Sequence, residues 1–377
     1  VLFRSIDIIT TMKFNLSINI SQGVSDNFNY IVTPNAQKVY GNIVDSFQSG
    51  IHSFLIIGTY GTGKSSFLMA LEQDLLNNKS KLVSERSVFA DAKSFEFMNI
   101  VGDYSSLSTL LSKELSIAPS DDSKNVFSTL TRYLIKLKDQ NKFLFIFIDE
   151  FGKILEYAAN NNPEKELYFL QTLAEFVNVS SRNVILITTL HQNFGSYAHK
   201  LTETQRNEWL KVKGRFKELV FAEPVEQLLF LAAESLTKSK TMTDNAKENF
   251  LEIFSLAKKN KIISESLTVR TSKMLYPLDA VAASCLTLAI QRYGQNERTL
   301  FSFLHDTASN SINSFLPNDT TTYNLAVVYD YVIYNFYTAL AETNLDSTNW
   351  RAIRVAIERV ESGIINKNNI DDALKIV

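Results

Sequence analysis

The stretch FLIIGTYGTGKSSFL, residues 54–68, constrains this chain more than any other. Its first four residues read as a buried strand, Gly58 to Gly63 as a turn, and Lys64-Ser65-Ser66 as the opening of a helix. A strand that feeds a tight bend and then a helix is the first half of a strand–helix–strand crossover. Such crossovers build parallel sheets covered on both faces. The pattern continues: apolar strands are predicted at 53–58, 95–101, 143–149, 184–189 and 217–221, with helical stretches between them and a helix at 35–48 before the first. The unbroken apolar runs FLFIFI (143–148) and VILI (184–187) fit strands buried on both sides.

Beyond Pro224 the strand pattern stops. EPVEQLLFLAAESL (223–236) reads as a helix, TKSKTMTDN (237–245) as a polar joint, and residues 277–293 as a helix. That last helix is expected to bury Leu278, Val281, Ala282, Cys285, Leu286 and Ala289 on one face. A second joint, NSFLPNDTT (313–321), precedes an aromatic-rich helix at 323–341 and another at 348–361. Residues 13–33 mix short β-like runs with Asn and Ser, and there is no internal repeat. At 377 residues the chain is expected to hold two or three domains.

Composition narrows the partners. The net charge of −2 advertises no global field for nucleic acid. The single cysteine, Cys285, excludes an intrachain disulfide and suits a reducing, cytoplasmic setting. No apolar run approaches the roughly 18 residues that span a bilayer, so no membrane partner is expected. The opening VLFRS resembles a translated sequencing adapter, the first Met is Met12, and no signal peptide is read. NNIDDALKIV (368–377) reads as an interrupted helix, so the natural protein is expected to continue.

The chemistry starts in the first turn. Gly58-Thr59-Tyr60-Gly61-Thr62-Gly63-Lys64-Ser65 matches G-x-x-x-x-G-K-[ST], set between a strand and a helix as a phosphate-binding loop requires. Residues 58–66 are therefore the predicted ATP contacts, with Lys64 reaching the β- and γ-phosphates and the Ser65 hydroxyl on Mg²⁺. FLFIFIDEF supplies the partner: Asp149 is predicted to bind the Mg²⁺ shell and Glu150 to orient or deprotonate an attacking water, on a strand expected beside the phosphate-loop strand. An Asp-Glu pair favours hydrolysis by water; the bland reading is a pair of acids closing a strand. The strand NVILITTLHQ ends in Thr188, Thr189, His191 and Gln192, and either Thr189 or His191 is a candidate γ-phosphate contact. Scattered histidines (52, 191, 199 and 305) support no transition-metal site. Neither the Asn-Lys-x-Asp of a GTPase nor the Leu-Ser-Gly-Gly-Gln of a transporter ATPase occurs.

RNEWLKVKGRFKELVFAEP (206–224) completes a recognisable order. Strand, phosphate loop and helix, then an apolar run closed by Asp-Glu, a polar strand end, and Gly214-Arg215-Phe216 before a strand and Pro224 resemble the AAA+ P-loop ATPases over about residues 34–310. The resemblance implies that Arg215 is an arginine finger acting on a neighbouring subunit's nucleotide, with Arg206 the fallback. It also implies that Arg298, in QRYGQNERTLFSFLHD, is a second sensor arginine on a helical lid. A plain basic helix face (Arg206, Lys211, Lys213, Arg215 and Lys217) is the competing reading. The chain departs from the family in having Thr189 or His191 where an Asn is usual. The origin-recognition-like and STAND-like branches look nearest, and YPLDAVAA with YGQNERTLFSFL resembles ATPases of bacterial restriction and phage-defence loci.

The expected architecture is thus α/β: an N-terminal extension (1–33), a three-layer P-loop NTPase core (34–225), an α-helical lid (226–311) and a truncated C-terminal helical region (312–377). The expected function is Mg-dependent ATP hydrolysis by a homo-oligomer that remodels or switches something on or near DNA, with DNA contacted through a missing or truncated C-terminal domain. The alternative is a slow-turnover, nucleotide-gated switch whose output is assembly. The tyrosines at 323–337 would stack on bases or, more simply, pack, and WRAIRVAIERV (350–360) resembles the start of a winged helix.

Overall fold

The computed structural model describes residues 19–23, 28, 30–77, 82–83, 88–89, 93–118, 123–199, 201–222, 225–236, 244–265, 267–293, 297–305, 310–315, 322–341, 347–360 and 362. Of the stretch 13–33, expected to hold short β-like runs, residues 13–18, 24–27 and 29 lie outside these residues, and the described rest forms the short helical turn Ile20–Gln22 and no strand. The last helix expected at 368–377 and most of both polar joints also lie outside them. The chain divides into two compact units, residues 1–227 and 228–377.

The first unit is built on five parallel strands: β1 (Ser53–Ile57), β2 (Ser94–Val101), β3 (Lys142–Asp149), β4 (Val184–Leu190) and β5 (Lys217–Val220). All five match the apolar runs of the sequence to within a residue or so. Their order across the sheet is β2-β3-β4-β1-β5. One expectation is corrected here. β3 does not lie beside the phosphate-loop strand; β4 separates them, pairing with β1 on one side and β3 on the other. The crossover that leaves β1 runs to β2 at the far edge, and the next two strands fill the sheet back toward β1.

Alternation along β3 explains the layers. Phe143, Phe145 and Phe147 face one core with Phe54, Ile56, Ile185 and Ile187, whereas Leu144, Ile146 and Ile148 face another with Leu55, Val184 and Leu186. The first core is closed by α1 (Pro34–Gln48) and α2 (Lys64–Asn77), through Val39, Tyr40, Ile43, Phe67, Leu68 and Leu71. The second is closed by α3 (Leu107–Glu114), α4 (Ser123–Asp139), α5 (Phe151–Asn160), α6 (Pro163–Val177) and α7 (Glu203–Lys213). A sheet buried on both faces must be apolar on both, which is why β3 carries no polar residue between Lys142 and Asp149. Helix starts follow local chemistry. Thr33 Oγ1 accepts from Ala36 N at 3.1 Å with Pro34 in the first turn of α1, and Thr202 with Gln205 forms a capping box on α7.

After α8 (Val225–Leu236), which crosses the division, the second unit is helical: α9 (Asp244–Lys259), α10 (Val269–Met274), α11 (Ala280–Tyr293), α12 (Glu297–His305), α13 (Leu325–Ala341) and α14 (Ser347–Arg359). The buried face of α11 differs from the expected one. Ala282 and Leu286 are buried as expected, but Ala283, Thr287 and Ile290 are buried with them, while Val281, Cys285 and Ala289 are only half-buried. α11 packs against α9, α12 and α13, and several partners widen and rotate the covered stripe. Tyr323 is fully buried and pairs with Leu278 in an isolated bridge, while Tyr331 and Phe336 are also buried; Tyr329 and Tyr334 remain exposed. Packing therefore accounts for the first three aromatics. Among the described residues no helix is long and apolar enough to cross a membrane.

Candidate functional site

The carboxyl ends of β1, β3 and β4 converge, at the edge where open parallel sheets bind ligands. Residues 58–63 turn directly from β1 into α2. Gly61 and Gly63 have φ of 74° and 81°, a region closed to most side chains, and this conformation lets successive backbone N–H groups turn inward toward an anion. Gly58 N donates to the carbonyl of Leu190 at 3.0 Å, fastening the start of the loop to the end of β4. Lys64 Nζ folds back over the loop, donating to the carbonyls of Gly58 (2.6 Å) and Thr59 (2.8 Å), and Thr62 Oγ1 donates to Thr59 O at 2.9 Å. Ser65 and Ser66 open the first turn of α2, the positive end of its dipole.

The loop and the acidic strand tip meet. Ser65 Oγ donates to Asp149 Oδ2 at 2.6 Å, and Thr189 Oγ1 donates to Asp149 Oδ1 at 2.5 Å. Asp149 and Thr189 are both buried, at 5% and 1% exposure. The intervening strand β4 thus does not keep the loop from the tip of β3: Ser65 bridges them directly, while Thr189 ties β4 to Asp149 and Leu190 ties it to Gly58. Geometry also divides the two candidates at this strand end. Thr189 sits on the carboxylate and also accepts from Glu150 N at 3.1 Å. His191 instead stacks on Tyr60 of the loop, with ring centroids 4.4 Å apart and planes 22° apart. Burial, reinforced by the Lys64 ammonium, lowers the His191 pKa from its usual value, favouring a neutral ring. Tyr197 Oη lies 3.3 Å from His191 Nδ1, and burial pushes that phenol's pKa up.

Glu150 occupies the left-handed region, with φ 52° and ψ 36°, at the junction between β3 and α5. Such a conformation costs a non-glycine residue about 1–3 kcal/mol and persists only where the surroundings impose it. Here Glu150 N is held by both Asp149 Oδ1 (3.1 Å) and Thr189 Oγ1. Its carboxylate pairs with Lys153 one turn along α5, both side chains being about half-exposed.

Mg²⁺ and ATP fit these residues. Magnesium favours hard oxygen donors, keeps several waters and is usually bound by one or two carboxylates together with substrate phosphates. A serine hydroxyl and a carboxylate oxygen 2.6 Å apart, at the mouth of a loop shaped for an anion, are such a donor set. Among the described residues no cluster of three or more His, Cys, Asp or Glu could hold a metal ion alone, so the remaining ligands would come from phosphate and water.

The two arginines assigned from the 206–224 stretch lie elsewhere. Arg206 ties α7 to the short helical turn Phe194–Ala198, donating to the carbonyls of Ala198 (3.2 Å) and His199 (2.6 Å). Arg215 stands at the amino end of β5, on the opposite edge of the sheet. Its carbonyl accepts from Ser53 Oγ at 2.7 Å, and Ser53 is the first residue of β1. The phosphate loop begins five residues further on, about 16 Å away at strand rise. Arg215 therefore does not reach the loop of its own chain. Lys211 pairs with Glu208 and Lys213 with Glu218, so part of the basic segment is an ordinary ion-paired face. Arg298 belongs to the first turn of α12 in the second unit, and its side chain is outside the described residues. Sequence reasoning missed Lys153 and Tyr197, which stand three and six residues from Glu150 and His191 but belong to no motif of fixed spacing. It missed the residues around Arg215 because these come from elements distant in the chain.

No protein-family model and no curated protein matches the sequence. Among solved structures, the chain is similar to the Aeropyrum pernix ORC2 protein in its ADP form, with 14% identity over 93% of this chain and 82% of that one, and a TM-score of 0.46. It is similar to Drosophila ORC bound to DNA, with 12% identity over 90% and 83% and a TM-score of 0.43. It is also similar to the Walker-type ATPase of Pyrococcus abyssi, with 14% identity over 92% and 84% and a TM-score of 0.38.

Proposed function

We propose that this chain is an AAA+-like module that binds ATP with Mg²⁺ and hydrolyses it as a homo-oligomer, driving remodelling or switching on or near DNA. The observation that carries the reading is the 2.6 Å hydrogen bond from Ser65 Oγ to Asp149 Oδ2, which joins a phosphate-loop hydroxyl to a strand-tip carboxylate. Ser65 and Asp149 would hold the magnesium, whose charge, when bound, offsets that of the phosphate oxygens. Lys64 would exchange its loop carbonyls for the β- and γ-phosphates. Glu150 would accept a proton from the water that attacks the γ-phosphorus as the bond to the leaving diphosphate oxygen breaks. Thr189 would fix Asp149 and the Glu150 backbone together, and His191 would brace the loop through Tyr60.

Arg215 would act in trans, since its own loop is a strand's length away; a guanidinium can spread over γ-phosphate oxygens without losing its proton. Arg298 is proposed as a nucleotide-sensing arginine and the helical unit as a lid. A bacterial defence or DNA-handling pathway is proposed from the resemblance alone.

A second reading, a slow-turnover switch whose output is assembly, draws support from the Glu150–Lys153 ion pair, because in it the carboxylate is engaged by an ammonium and not by a water. Phosphate release under multiple turnover separates the two. Hydrolysis by an oligomer predicts turnover per protomer that rises with protomer concentration and with added duplex DNA, and that falls about a hundredfold or more in Glu150→Gln while ATP binding stays. A rate no higher than that of Glu150→Gln at every concentration would leave the switch.

A further inference from the structure

We propose that Glu175 is a positioning residue that holds the Arg215 side chain in the free protomer and releases it to the triphosphate of a second copy of this chain on assembly. The inference rests on the reading of Arg215 as a trans-acting arginine and adds how that arginine is kept before it acts.

The main chain at Arg215 is clamped. Its carbonyl accepts from Ser53 Oγ at 2.7 Å and from Asn178 Nδ2 at 3.1 Å, while Asn178 Oδ1 accepts from His52 N at 2.8 Å. Three segments distant in sequence, β1, the end of α6 and the entry to β5, thus fix the arginine's origin. Only its side chain is left with alternatives. The guanidinium Nη2 lies 2.6 Å from Glu175 Oε1, and the Nε is buried with no hydrogen-bond partner among the described residues. One carboxylate oxygen therefore satisfies only part of a group built to bind two oxygens at once.

The pair is made to be exchanged. The Glu175 side chain is 52% exposed and that of Arg215 34%, and ion pairs so exposed hold weakly. Glu175 Oε1 also accepts from Gln171 Nε2 at 3.0 Å, so the carboxylate keeps a partner and its water when the arginine leaves. Glu175 stands in the last turn of α6, where the helix dipole disfavours a negative charge. Proximity to Arg215 offsets that placement. A γ-phosphate, carrying more charge and several oxygens at guanidinium spacing, would outcompete a single half-exposed carboxylate for the same fork.

The test is steady-state phosphate release from the full chain, measured with Mg-ATP across protomer concentration, for wild type, Glu175→Gln, Arg215→Ala and the double variant. Glu175→Gln is expected to lower the protomer concentration at half-maximal turnover by about two- to fivefold while leaving the plateau rate in place. The shift should vanish in the Arg215→Ala background, and Glu175→Ala should move the midpoint in the same direction. An unmoved midpoint, a fallen plateau, or an equal shift without Arg215 would overturn the holding role while the trans arginine stands. Should Arg215→Ala instead keep the wild-type concentration dependence, the trans reading itself fails and this inference falls with it.

Discussion

The two edges of the same sheet are organised in opposite ways. At the carboxyl edge, Lys64, Ser65, Asp149, Glu150 and Thr189 are drawn together by the loop and two strand tips, and hydrogen bonds of 2.5 and 2.6 Å converge on one buried carboxylate. At the amino edge, His52, Ser53, Glu175 and Asn178 surround an arginine whose backbone is fixed and whose charged end stays partly exposed. On the proposed reading the first edge would take a triphosphate and its metal. On the same reading the second would meet the triphosphate of another copy, its anchor being built by Ser53 and Asn178. That reading has the chemistry completed where one copy's amino edge meets another's carboxyl edge.

That contrast can be broken in steps. The largest effect is expected at the loop: Lys64→Ala should weaken ATP binding by about a hundredfold or more in calorimetry, since it removes charge-assisted bonds to two phosphates. Unchanged affinity would show that the loop does not grip a triphosphate. Next comes the residue joining two strand tips. Thr189→Val keeps the shape of a fully buried side chain but strips Asp149 Oδ1 and Glu150 N of a partner. It should cost about 1–3 kcal/mol of stability in denaturant unfolding and lower turnover with it. Intact turnover would make Thr189 a strand residue and nothing more. The smallest effect is expected across the sheet, where Asn178→Ala removes the clamp on His52 N and Arg215 O. A loss of about 1–2 kcal/mol of stability with wild-type ATP affinity would confirm that the edges are independent in a single protomer. Weaker ATP binding in that variant would join them.

How much of this was legible beforehand follows from how locally each feature is written. The five strands were visible because burial on both faces forces unbroken apolar runs, as in FLFIFI. The loop was visible because phosphate binding needs glycines, a lysine and a serine at fixed spacing within eight residues. Strand order was not. Nothing in β3 or β4 records which of them lies beside β1, and the expectation that β3 does was wrong for that reason. Thr189 and His191 were alike in the sequence because both stand at one strand end; register gives them different neighbours, pairing Thr188 with Ile148 and so setting Thr189 next to Asp149, while His191 stacks on Tyr60. Glu175 looked like any acid on an amphipathic helix, since its partner lies 40 residues away in the chain and the contact exists only once α6 and β5 are packed. The covered face of α11 was misjudged because one period describes one partner and this helix has several.

The central claim is that Ser65 and Asp149 jointly hold the metal of a bound triphosphate. Its most direct test is a calorimetric titration of the full chain with a non-hydrolysable ATP analogue, with magnesium and with chelator, for wild type and Ser65→Ala. The account predicts binding by the wild type that tightens about tenfold or more with magnesium, and loss of that magnesium dependence in Ser65→Ala with the metal-free affinity retained. Absence of binding by the wild type, or an equal response to magnesium in both proteins, would contradict it.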